Sequence, residues 1–590
     1  MMNRLTRCLI CATGCALMVP LPGNAQNLAD WPAAQRSSVE RREIALSPAT
    51  LRTVTGAKGI VSATASPIAV HAGAQILRSG GTAADAAVAT AFTQITTMLG
   101  ANVSFAGVAQ LLYYDAKSHK VYAMDAGWNG WRNERSPQTI PATDLSTLTG
   151  QPSGAPAGAR GRKTLVPGFM AGMAALHDRF GRLAFARLLE PSIWYAKHGV
   201  PATPLLSAYM KLSRFPGRAV REAPDSNQAA LPGDRYFSPT LARFLERVAK
   251  NGATEMYRGD WARDFVETVN QAGGAATMSD LADYKVRWTR PQSLRLDSED
   301  IYGPESANSA GCTILTTLNI LAHTDNHKAY WHDPTALRTT VQALRLATAL
   351  DWSPAAAMAV AHRLGTGATC ASRTQARFGA AAAAQLEALT NAGGPPAQRH
   401  HSASVVVIDQ WGSIAALVHS SNTPLWGDTG LSVQGVPIPA PAGLYKEALA
   451  HLPPGARIPS DMAPLIVLRD NKPVFATAAI GSSEVQETVR VANGLLNHVA
   501  SPAALMAAPP LLLNYQQAAA PMHDRDLLVP DAAYSPEFLR KLEATGLSVR
   551  PVDAAKTRVL RGTLALAIVR PNDKREGVEV PNILQFTEAQ

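Results

Sequence analysis

The sequence predicts an α+β protein in which a long, mainly helical part precedes a strand-rich part. Three observations lead to this prediction. Alanine, the strongest helix former, is concentrated before residue 390, notably at 83–95 and 379–389. Short apolar runs separated by turn residues dominate from about residue 402 onward. Between the two parts lies the helix-breaking sequence NAGGPP at 391–396.

The first part begins with a polar, irregular segment at 26–55, which we interpret as a tether. The Gly80-Gly81 pair then separates two helical patterns, and a low-complexity stretch at 150–163 indicates a loop. Predicted helices cover 69–77, 83–95, 166–195 and 334–351, and predicted strands cover 59–63, 111–115 and 120–124.

The second part contains apolar runs that are each long enough for one strand. The turn DQWG at 409–412 separates the first pair of runs, and DNK at 470–472 separates the second pair. We therefore expect a sheet-forming C-terminal part. Its predicted strands cover 405–408, 413–418, 465–468 and 474–479, and its predicted helices cover 484–498 and 535–545.

Residues 1–25 have the composition of an export signal. Arg4 and Arg7 precede an apolar run at 8–21, and small residues at 23–25 suit a signal peptidase. The run is shorter than the ~20 residues of a membrane-spanning helix. We predict a periplasmic or secreted mature chain with no membrane span. A lipid anchor at Cys15 is the alternative, because ATGC at 12–15 resembles a lipoprotein cleavage box.

Only Cys312 and Cys370 remain once residues 1–25 are removed. An exported protein works in an oxidising compartment, where a disulfide between these residues could persist. Sequence alone does not bring two cysteines within bonding distance. We therefore favour two separately buried thiols and keep the disulfide as the alternative.

The formal net charge of +10 raises the question of a nucleic-acid partner. The basic residues are scattered, and their densest run, RGRK at 160–163, lies in the predicted loop without interleaved aromatic residues. A solvated loop explains this run better, so we predict no nucleic-acid partner. His323, His327 and His332 match no closed zinc pattern. We expect neither a metal nor a cofactor.

A serine stands at the junction between the two parts. Ser402 follows the breaker sequence and opens the first strand-like stretch. Cleavage of the peptide bond before it would give one residue both a hydroxyl nucleophile and a free α-amine, whose ordinary pKa of about 7.7–8.0 suits a local base. This arrangement fits a self-cleaving precursor. Ser404 is the alternative nucleophile.

Several segments occur in the order found in one known family. They are GGTAADAAVA at 80–89, VPG at 166–168, LLEP at 188–191, NSAG at 308–311 and PSDMAP at 459–464. On these segments the chain resembles the γ-glutamyltranspeptidases, or glutathione hydrolases, over nearly all of its mature length. The resemblance implies a four-layer αββα sandwich of the N-terminal-nucleophile hydrolase type. It also implies a precursor cut into a large subunit (26–401) and a small subunit (402–590) that stay associated.

The resemblance also assigns roles to individual residues. The family nucleophile, a threonine, lies seven residues before the aspartate of a conserved turn, and here that position is Ser402, before Asp409. The other positions that match family roles support the nucleophile (Ser420), form the oxyanion hole (Gly481, Ser482) or bind substrate (Asn422, Ser460, Asp461).

Two family features that grip a γ-glutamyl group are missing from this chain. Gly127 stands where the family has an arginine for the α-carboxylate, and Arg132 is the candidate substitute. The segment QGVPIP at 434–439 replaces one whose aspartate holds the α-amine. Trp128, Trp426 and the proline-rich 436–442 segment suggest a more apolar pocket.

The sequence therefore predicts a γ-glutamyltransferase-like amidohydrolase or acyltransferase that works through an acyl-enzyme on Ser402. Its substrate would be a small amide or peptide that need not carry a γ-glutamyl group. The alternative is an unprocessed, inactive member of the family that serves as a binding or scaffold protein.

Overall fold

The computed structural model describes residues 27–143, 157–212, 234–305, 310–325, 327–389, 402–423, 425–427, 429–462, 464–513 and 526–590. Some predictions concern residues outside this set. These are the export signal at 1–25, the loop residues 150–156, the motif residues 308–309 and the segment 390–401 directly before Ser402. None of the described helices combines the length and the apolar character needed to cross a membrane.

Two seven-stranded sheets form the centre of the fold, and every pairing within them is antiparallel. From edge to edge, the first sheet consists of Gln585–Ala589, Ile60–Thr64, Ser402–Ile408, Ile414–Ser420, Val108–Asp115, Lys120–Ala126 and Arg287–Thr289. The second sheet consists of Arg52–Gly56, Arg575–Glu579, Thr563–Val569, Lys472–Ile480, Leu465–Arg469, Glu299–Gly303 and Gln292–Leu296.

The first sheet is apolar on both faces. In the strand Ser402–Ile408, Val406 and Ile408 pack between the two sheets, whereas Val405 and Val407 pack against helices. This division follows from the two-residue period of a strand, which sends neighbouring side chains to opposite faces. Burial on both faces explains why the run is almost continuously apolar.

The second sheet repeats this arrangement on its own outer side. Ile466 and Leu468 complete the core between the sheets, while Leu465 and Val467 face a second group of helices. The chain therefore forms four layers in the order α-β-β-α, which confirms the predicted fold class.

Helices cover the outer face of each sheet. Pro67–Arg78, Ala83–Thr97 and Phe169–Phe180 contact the first sheet, and Ala310–Ala322 and Glu484–Leu496 contact the second. The other α-helices are Ala33–Ala45, Phe185–Leu188, Glu190–His198, Pro204–Leu212, Pro239–Asn251, Thr254–Tyr257, Asp260–Gln271, Met278–Ala282, Pro334–Trp352, Pro354–Leu364, Cys370–Arg373, Ala376–Ala384, Leu386–Leu389, Lys446–His451, Pro502–Ala507, Pro536–Ala544 and Ala554–Leu560.

Short elements complete the described structure. Single 3₁₀ turns occupy Pro137–Thr139, Ala157–Ala159, Gly161–Lys163, Leu425–Gly427 and Pro441–Gly443. Three small sheets pair Val200–Pro201 with Arg235–Tyr236, Ser432–Val433 with Val436–Pro437, and Leu527–Pro530 with both Leu512–Leu513 and Val549–Val552. These elements lie in connections between the main layers.

The prediction of an irregular tether at 26–55 was wrong. Residues Ala33–Ala45 form a helix, and Arg52–Gly56 is an edge strand of the second sheet. Arg42 and Arg52 each place a guanidinium nitrogen 2.8 Å from a carboxylate oxygen of the buried Glu579. The strand therefore depends on a partner more than 500 positions away, which a local polar pattern does not reveal.

The preference for two separate thiols was also wrong. Cys312 and Cys370 form a disulfide with a Cα–Cα distance of 5.8 Å. The bridge ties Ala310–Ala322, which covers the second sheet, to the short helix Cys370–Arg373. A disulfide of this kind is typical of an exported chain.

Removal of this disulfide should lower stability. The bridge closes a 58-residue separation, for which loop-closure entropy gives a contribution of about 4 kcal/mol. We expect the double variant Cys312→Ala/Cys370→Ala to unfold at a lower urea concentration than the wild type. Dithiothreitol should lower the midpoint of the wild type only. Equal midpoints for all samples would contradict a stabilising bridge.

Glu43 is a carboxyl group buried in the contact between two helices. Its Oε2 accepts hydrogen bonds from Ser66 Oγ (2.8 Å) and from the backbone N–H of Ile68 (3.0 Å), at the start of Pro67–Arg78. Burial raises the pKa of Glu43 from 4.5 to about 7. The folded chain therefore keeps a proton on Glu43 at pH values where the unfolded chain has already released it.

The stability contribution of Glu43 should fall as the pH rises from about 4.5 to about 7. The folded state binds more protons within this window, so the free energy of unfolding decreases by an amount on the order of 3 kcal/mol. Glu43→Gln keeps an acceptor for Ser66 and removes this dependence, which urea unfolding at several pH values would measure. Glu40→Gln, at an ion-paired position of the same helix, is the matched control. Parallel pH profiles for the wild type and Glu43→Gln would refute the assignment.

Candidate active site

Ser402 is the first residue of its strand, and its side chain points between the two sheets. Ser402 faces the same side of the sheet as Val406, because side chains an even number of positions apart along a strand point in the same direction. Ser402 is 6% exposed and lies directly opposite Ser420 in the neighbouring strand. Its Oγ donates a hydrogen bond of 2.9 Å to Ser420 Oγ. The strand pairing thus fixes the position of the Ser402 hydroxyl.

Ser420 also connects Ser402 to Asn422. The backbone N–H of Asn422 donates to Ser420 Oγ at 2.8 Å. Asn422 has a φ of 49°, in the left-handed region that asparagine tolerates better than most residues. Its Nδ2 donates to the hydroxyl oxygen of Tyr445 at 2.7 Å. Two predicted site residues, Ser420 and Asn422, therefore lie in one network with Ser402.

Tyr445 is a member of this network that the sequence did not reveal. Its burial, and then the charge of Asp461, raise the pKa of Tyr445 well above its ordinary value, so the phenol stays protonated. The predicted residue Asp461 thus acts on the network electrostatically. Ser460 is buried, and its Oγ accepts from the backbone N–H of Met462 at 3.4 Å.

A cavity of about 250 Å³ opens beside Ser402. Gly481 and Ser482, the predicted oxyanion residues, line the same cavity as the serine. The rest of the lining is mainly apolar. It includes Met98, Val103, Leu205, Tyr209, Ile480, Val559 and Leu584.

Gly481 turns the chain at the end of Lys472–Ile480. Its φ of +90° lies in the region that residues with a Cβ rarely adopt, so glycine is required there. Glu484–Leu496 starts three residues later. Partial positive charge at a helix N-terminus favours a nearby anion. The Gly481-Ser482 backbone is therefore well placed to stabilise an oxyanion next to Ser402.

Ser404, the alternative nucleophile, occupies a different environment. It has no exposed surface and does not line the cavity. Its backbone N–H donates to Thr64 Oγ1 at 2.9 Å. A substrate could not reach its hydroxyl without displacing the core, so the geometry favours Ser402.

His419 precedes Ser420 and points to the other face of the sheet. Complete burial lowers the pKa of His419 to about 3, and its Nε2 lies 2.9 Å from Gln94 Oε1. The imidazole is therefore neutral at ordinary pH and is held by the core. It is not placed to serve as a base for Ser402.

The structure does not bring Arg132 to Ser402. The guanidinium of Arg132 donates to Asp283 Oδ2 at 2.8 Å, and the residue is absent from the lining of the Ser402 cavity. The side chain of Arg132 lies instead beside Gly455, where a Cβ on the glycine would come within 2.8 Å of Arg132 Cγ. The expectation that it replaces the missing arginine at position 127 has no support in this geometry.

Arg457 occupies the space above Gly127. A Cβ at position 127 would lie 2.8 Å from Asp125 Oδ1 and 3.3 Å from Arg457 Cδ. The buried guanidinium of Arg457 is 2.9 Å from Asp125 Oδ1 and donates to Asn129 Oδ1 at 2.7 Å. Arg457 also donates to two backbone carbonyls. Its hydrogen bonds are used within the protein and not for a substrate.

The apolar character of the cavity has a different origin from the one predicted. Trp128 and Trp426 are buried in the core and do not line the cavity, and the same holds for residues 436–442. Trp426 Nε1 donates to the Leu99 carbonyl at 2.9 Å. The apolar lining comes from the residues named above, which lie far apart in the sequence.

Among the described residues, no group of three His, Cys, Asp or Glu side chains could hold a metal ion.

Comparison with known proteins gives consistent matches. The profile of the family described as gamma-glutamyltranspeptidase matches residues 69–578. A glutathione hydrolase proenzyme of Pseudomonas aeruginosa is 33% identical over 42% of this chain, and the match spans only 43% of that relative. The acylase ACY 1 proenzyme of Pseudomonas sp. (strain V22) is 27% identical over 77% of this chain and 82% of its own length.

The fold is shared with a solved structure. The crystal structure of cephalosporin acylase from Bacillus halodurans aligns with a TM-score of 0.72 and 18% identity. The alignment covers 92% of this chain and 98% of that one. At this identity the likeness concerns the fold alone, and it agrees with the four layers described above.

Gly481→Ala should destabilise the protein by about 1–2 kcal/mol, because a Cβ disfavours its left-handed backbone. Gly546→Ala is the matched control, with a φ of +87° in a site that has no atom within 4 Å of the added Cβ. Both variants should lose similar stability in urea unfolding. An unchanged midpoint for Gly481→Ala would show that the turn does not require its present geometry.

Proposed function

The chain belongs to the gamma-glutamyltranspeptidase family, and from this premise we propose that it is a self-processing amide hydrolase or acyltransferase whose nucleophile is Ser402. One observation supports this proposal above the others. The Ser402 hydroxyl is hydrogen-bonded to Ser420 and lies in the wall of the cavity that Gly481 and Ser482 also line.

The first proposed step is cleavage of the peptide bond before Ser402. Ser402 Oγ attacks the carbonyl carbon of residue 401, and the acyl group moves from nitrogen to oxygen. Water then hydrolyses the ester, which leaves a carboxylate on residue 401 and a free α-amine on Ser402. The chain would become a large fragment ending at 401 and a small fragment beginning at 402.

In the mature enzyme, the α-amine of Ser402 serves as the base for its own hydroxyl. Ser402 Oγ attacks the substrate carbonyl while the amine takes the proton, and the Gly481-Ser482 backbone stabilises the oxyanion. Loss of one such donor typically costs about 2.7–4 kcal/mol of transition-state stabilisation. The leaving amine takes the proton, and the acyl-enzyme passes its acyl group to water or to a second amine.

Asn422 is proposed as a substrate-binding residue because the family resemblance assigns it that role and because it shares a hydrogen-bond network with Ser402, although it does not line the Ser402 cavity. Its Oδ1 is buried and has no hydrogen-bond partner among the residues that the structure describes. A buried acceptor without a donor is costly, so a substrate N–H or O–H that binds there gains the missing bond. Asp461 acts on this region through its charge, which contributes to the raised pKa of Tyr445.

The substrate differs from a γ-glutamyl compound in the way it is held. Arg457 takes up the space beside Gly127, and the 434–439 segment contains no acid. Charge-assisted hydrogen bonds contribute about 1.5–3 kcal/mol each. Loss of the charged partners for both the α-carboxylate and the α-amine therefore removes most of the preference for a glutamyl head group. We propose an amide whose acyl part lacks the α-amino acid head group of a γ-glutamyl compound.

The site of action is proposed to be periplasmic or extracellular. The export signal at 1–25 supports this location, and so does the Cys312–Cys370 disulfide.

Self-cleavage is directly measurable. Fresh wild-type protein should give two bands on a denaturing gel, and N-terminal sequencing of the smaller band should begin at Ser402. Ser402→Ala removes the attacking oxygen and should leave one intact chain, whereas Ser402→Thr should still be cut. Ser404→Ala is the matched control and should be cut at the same bond.

An intact wild-type chain would overturn this proposal. It would favour the alternative reading, in which the fold is retained as a binding or scaffold protein. Cleavage that starts the small fragment at Ser404 would instead move the nucleophile by two residues.

A further inference from the structure

A second cavity of about 440 Å³ lies next to the cavity beside Ser402. Residues that line both cavities form their common boundary, which we call the junction. The junction consists of Leu205, Arg558, Arg561, Thr563 and Leu584. The two cavities are therefore neighbours that meet at the junction, and we call them together the trough; Ser402 lines the first of them.

Arg558 and Arg561 carry the only charges among the described residues that line this trough. Both charges are positive, and neither cavity has an Asp or Glu in its lining. A mainly apolar trough with two guanidinium groups favours a ligand that is mostly apolar and carries a negative charge at one position.

Arg561 is only partly neutralised by the protein. Its Nε lies 4.0 Å from Glu487 Oε1, and its Nη2 donates to the Met506 carbonyl at 3.1 Å. Glu487 forms a closer ion pair with Arg490, so one buried carboxylate serves two guanidinium groups. The Nε–H of Arg561 is buried and has no hydrogen-bond partner among the described residues.

An excess positive charge in such surroundings is unfavourable without a counter-ion. Burial lowers the pKa of Arg561, because it disfavours the charged form of the guanidinium. A bound anion would relieve this cost by supplying negative charge. The carboxylate of a substrate is one such anion, and its planar shape matches the guanidinium fork.

Arg558 provides a second cation at the same place. It lies on the exposed face of Ala554–Leu560, one turn before Arg561. Within the part of the chain that the structure describes, Arg558 forms no ion pair and no hydrogen bond. Its guanidinium can therefore turn toward an anion in the trough without breaking an existing contact.

We propose that the junction binds a carboxylate of the substrate, so that the enzyme acts on anionic amides that need no α-amine of the γ-glutamyl type. This inference rests on the proposed function of Ser402. The carboxylate belongs either to the acyl group or to the leaving amine.

Three chromogenic amides distinguish these sources. Pentanoyl p-nitroanilide is the neutral reference, glutaryl p-nitroanilide carries the charge on its acyl group, and pentanoyl 5-amino-2-nitrobenzoate carries it on the leaving amine. The processed wild-type enzyme should hydrolyse at least one anionic amide with a kcat/KM roughly tenfold or more above that of the neutral amide.

Substitutions at the junction should remove this preference. Arg558→Met should lower the ratio of the anionic to the neutral kcat/KM roughly tenfold, and Arg558→Lys should retain most of it. Arg561→Met should act in the same direction, although its contact with Glu487 makes it the less secure variant for folding. Lys556→Met is the matched control, because Lys556 is an exposed cation of the same helix outside both linings and should leave the ratio unchanged.

The failure of this inference differs from the failure of the proposed function. Two results would overturn the proposed carboxylate-binding role of the junction without affecting the proposed role of Ser402. One is hydrolysis of the neutral amide with no preference for either anionic amide, and the other is an equal ratio for the wild type and Arg558→Met. If no amide is cleaved, calorimetric titration with glutarate and with pentanoate decides the question. Glutarate binding that is lost in Arg558→Met supports the junction, and absence of glutarate binding refutes it.

Discussion

The pairing of Ser402 with Ser420 across two antiparallel strands is the constraint on which the site depends. A slip of one residue in this register would send Ala403 between the sheets and turn the hydroxyl toward the helices. The strand is apolar on both faces, so burial alone does not fix the register. The short 409–413 connection between the two strands does, because the turn of a hairpin sets its register. The turn therefore also holds the serine in position.

The second sheet supplies the other half of the site. Its strand Lys472–Ile480 is followed directly by Gly481, so the distance between the proposed nucleophile and the proposed oxyanion donors depends on how the two sheets pack. Side chains of both sheets interdigitate in one buried core, which has the low compressibility of a close-packed interior. The relative position of Ser402 and Gly481 is thus a property of the sandwich as a whole and not of a local loop.

Local patterns predicted the elements that bury their own apolar residues. The helix predicted at 83–95 is observed at Ala83–Thr97, and the strands predicted at 465–468 and 474–479 lie within Leu465–Arg469 and Lys472–Ile480. The polar helix Ala33–Ala45 buries only two of its residues, so its sequence carried no periodic signal. The edge strand Arg52–Gly56 and the disulfide both depend on partners that are distant in the chain.

The candidate site followed the same division. The family resemblance assigned roles to Ser402, Ser420 and Asn422, and the structure brings them together because Ser402 and Ser420 pair across two consecutive strands and Asn422 follows two residues later. Tyr445 directly precedes Lys446–His451, and the two junction arginines lie at the end of Ala554–Leu560, so no spacing in the sequence connects them to Ser402. Arg132 shows the opposite error, because proximity in sequence to position 127 did not place it near the serine.

Both sheets combine strands from before and after residue 402. Ile60–Thr64 lies between Gln585–Ala589 and Ser402–Ile408, and Arg52–Gly56 pairs with Arg575–Glu579. Once the bond before Ser402 is cut, the covalent chain would no longer guide this interleaving. A cut molecule that unfolds would have to reassemble as a bimolecular reaction, with a rate that falls on dilution. Maturation would thus make the native state a kinetically trapped heterodimer that the intact precursor alone can reach efficiently.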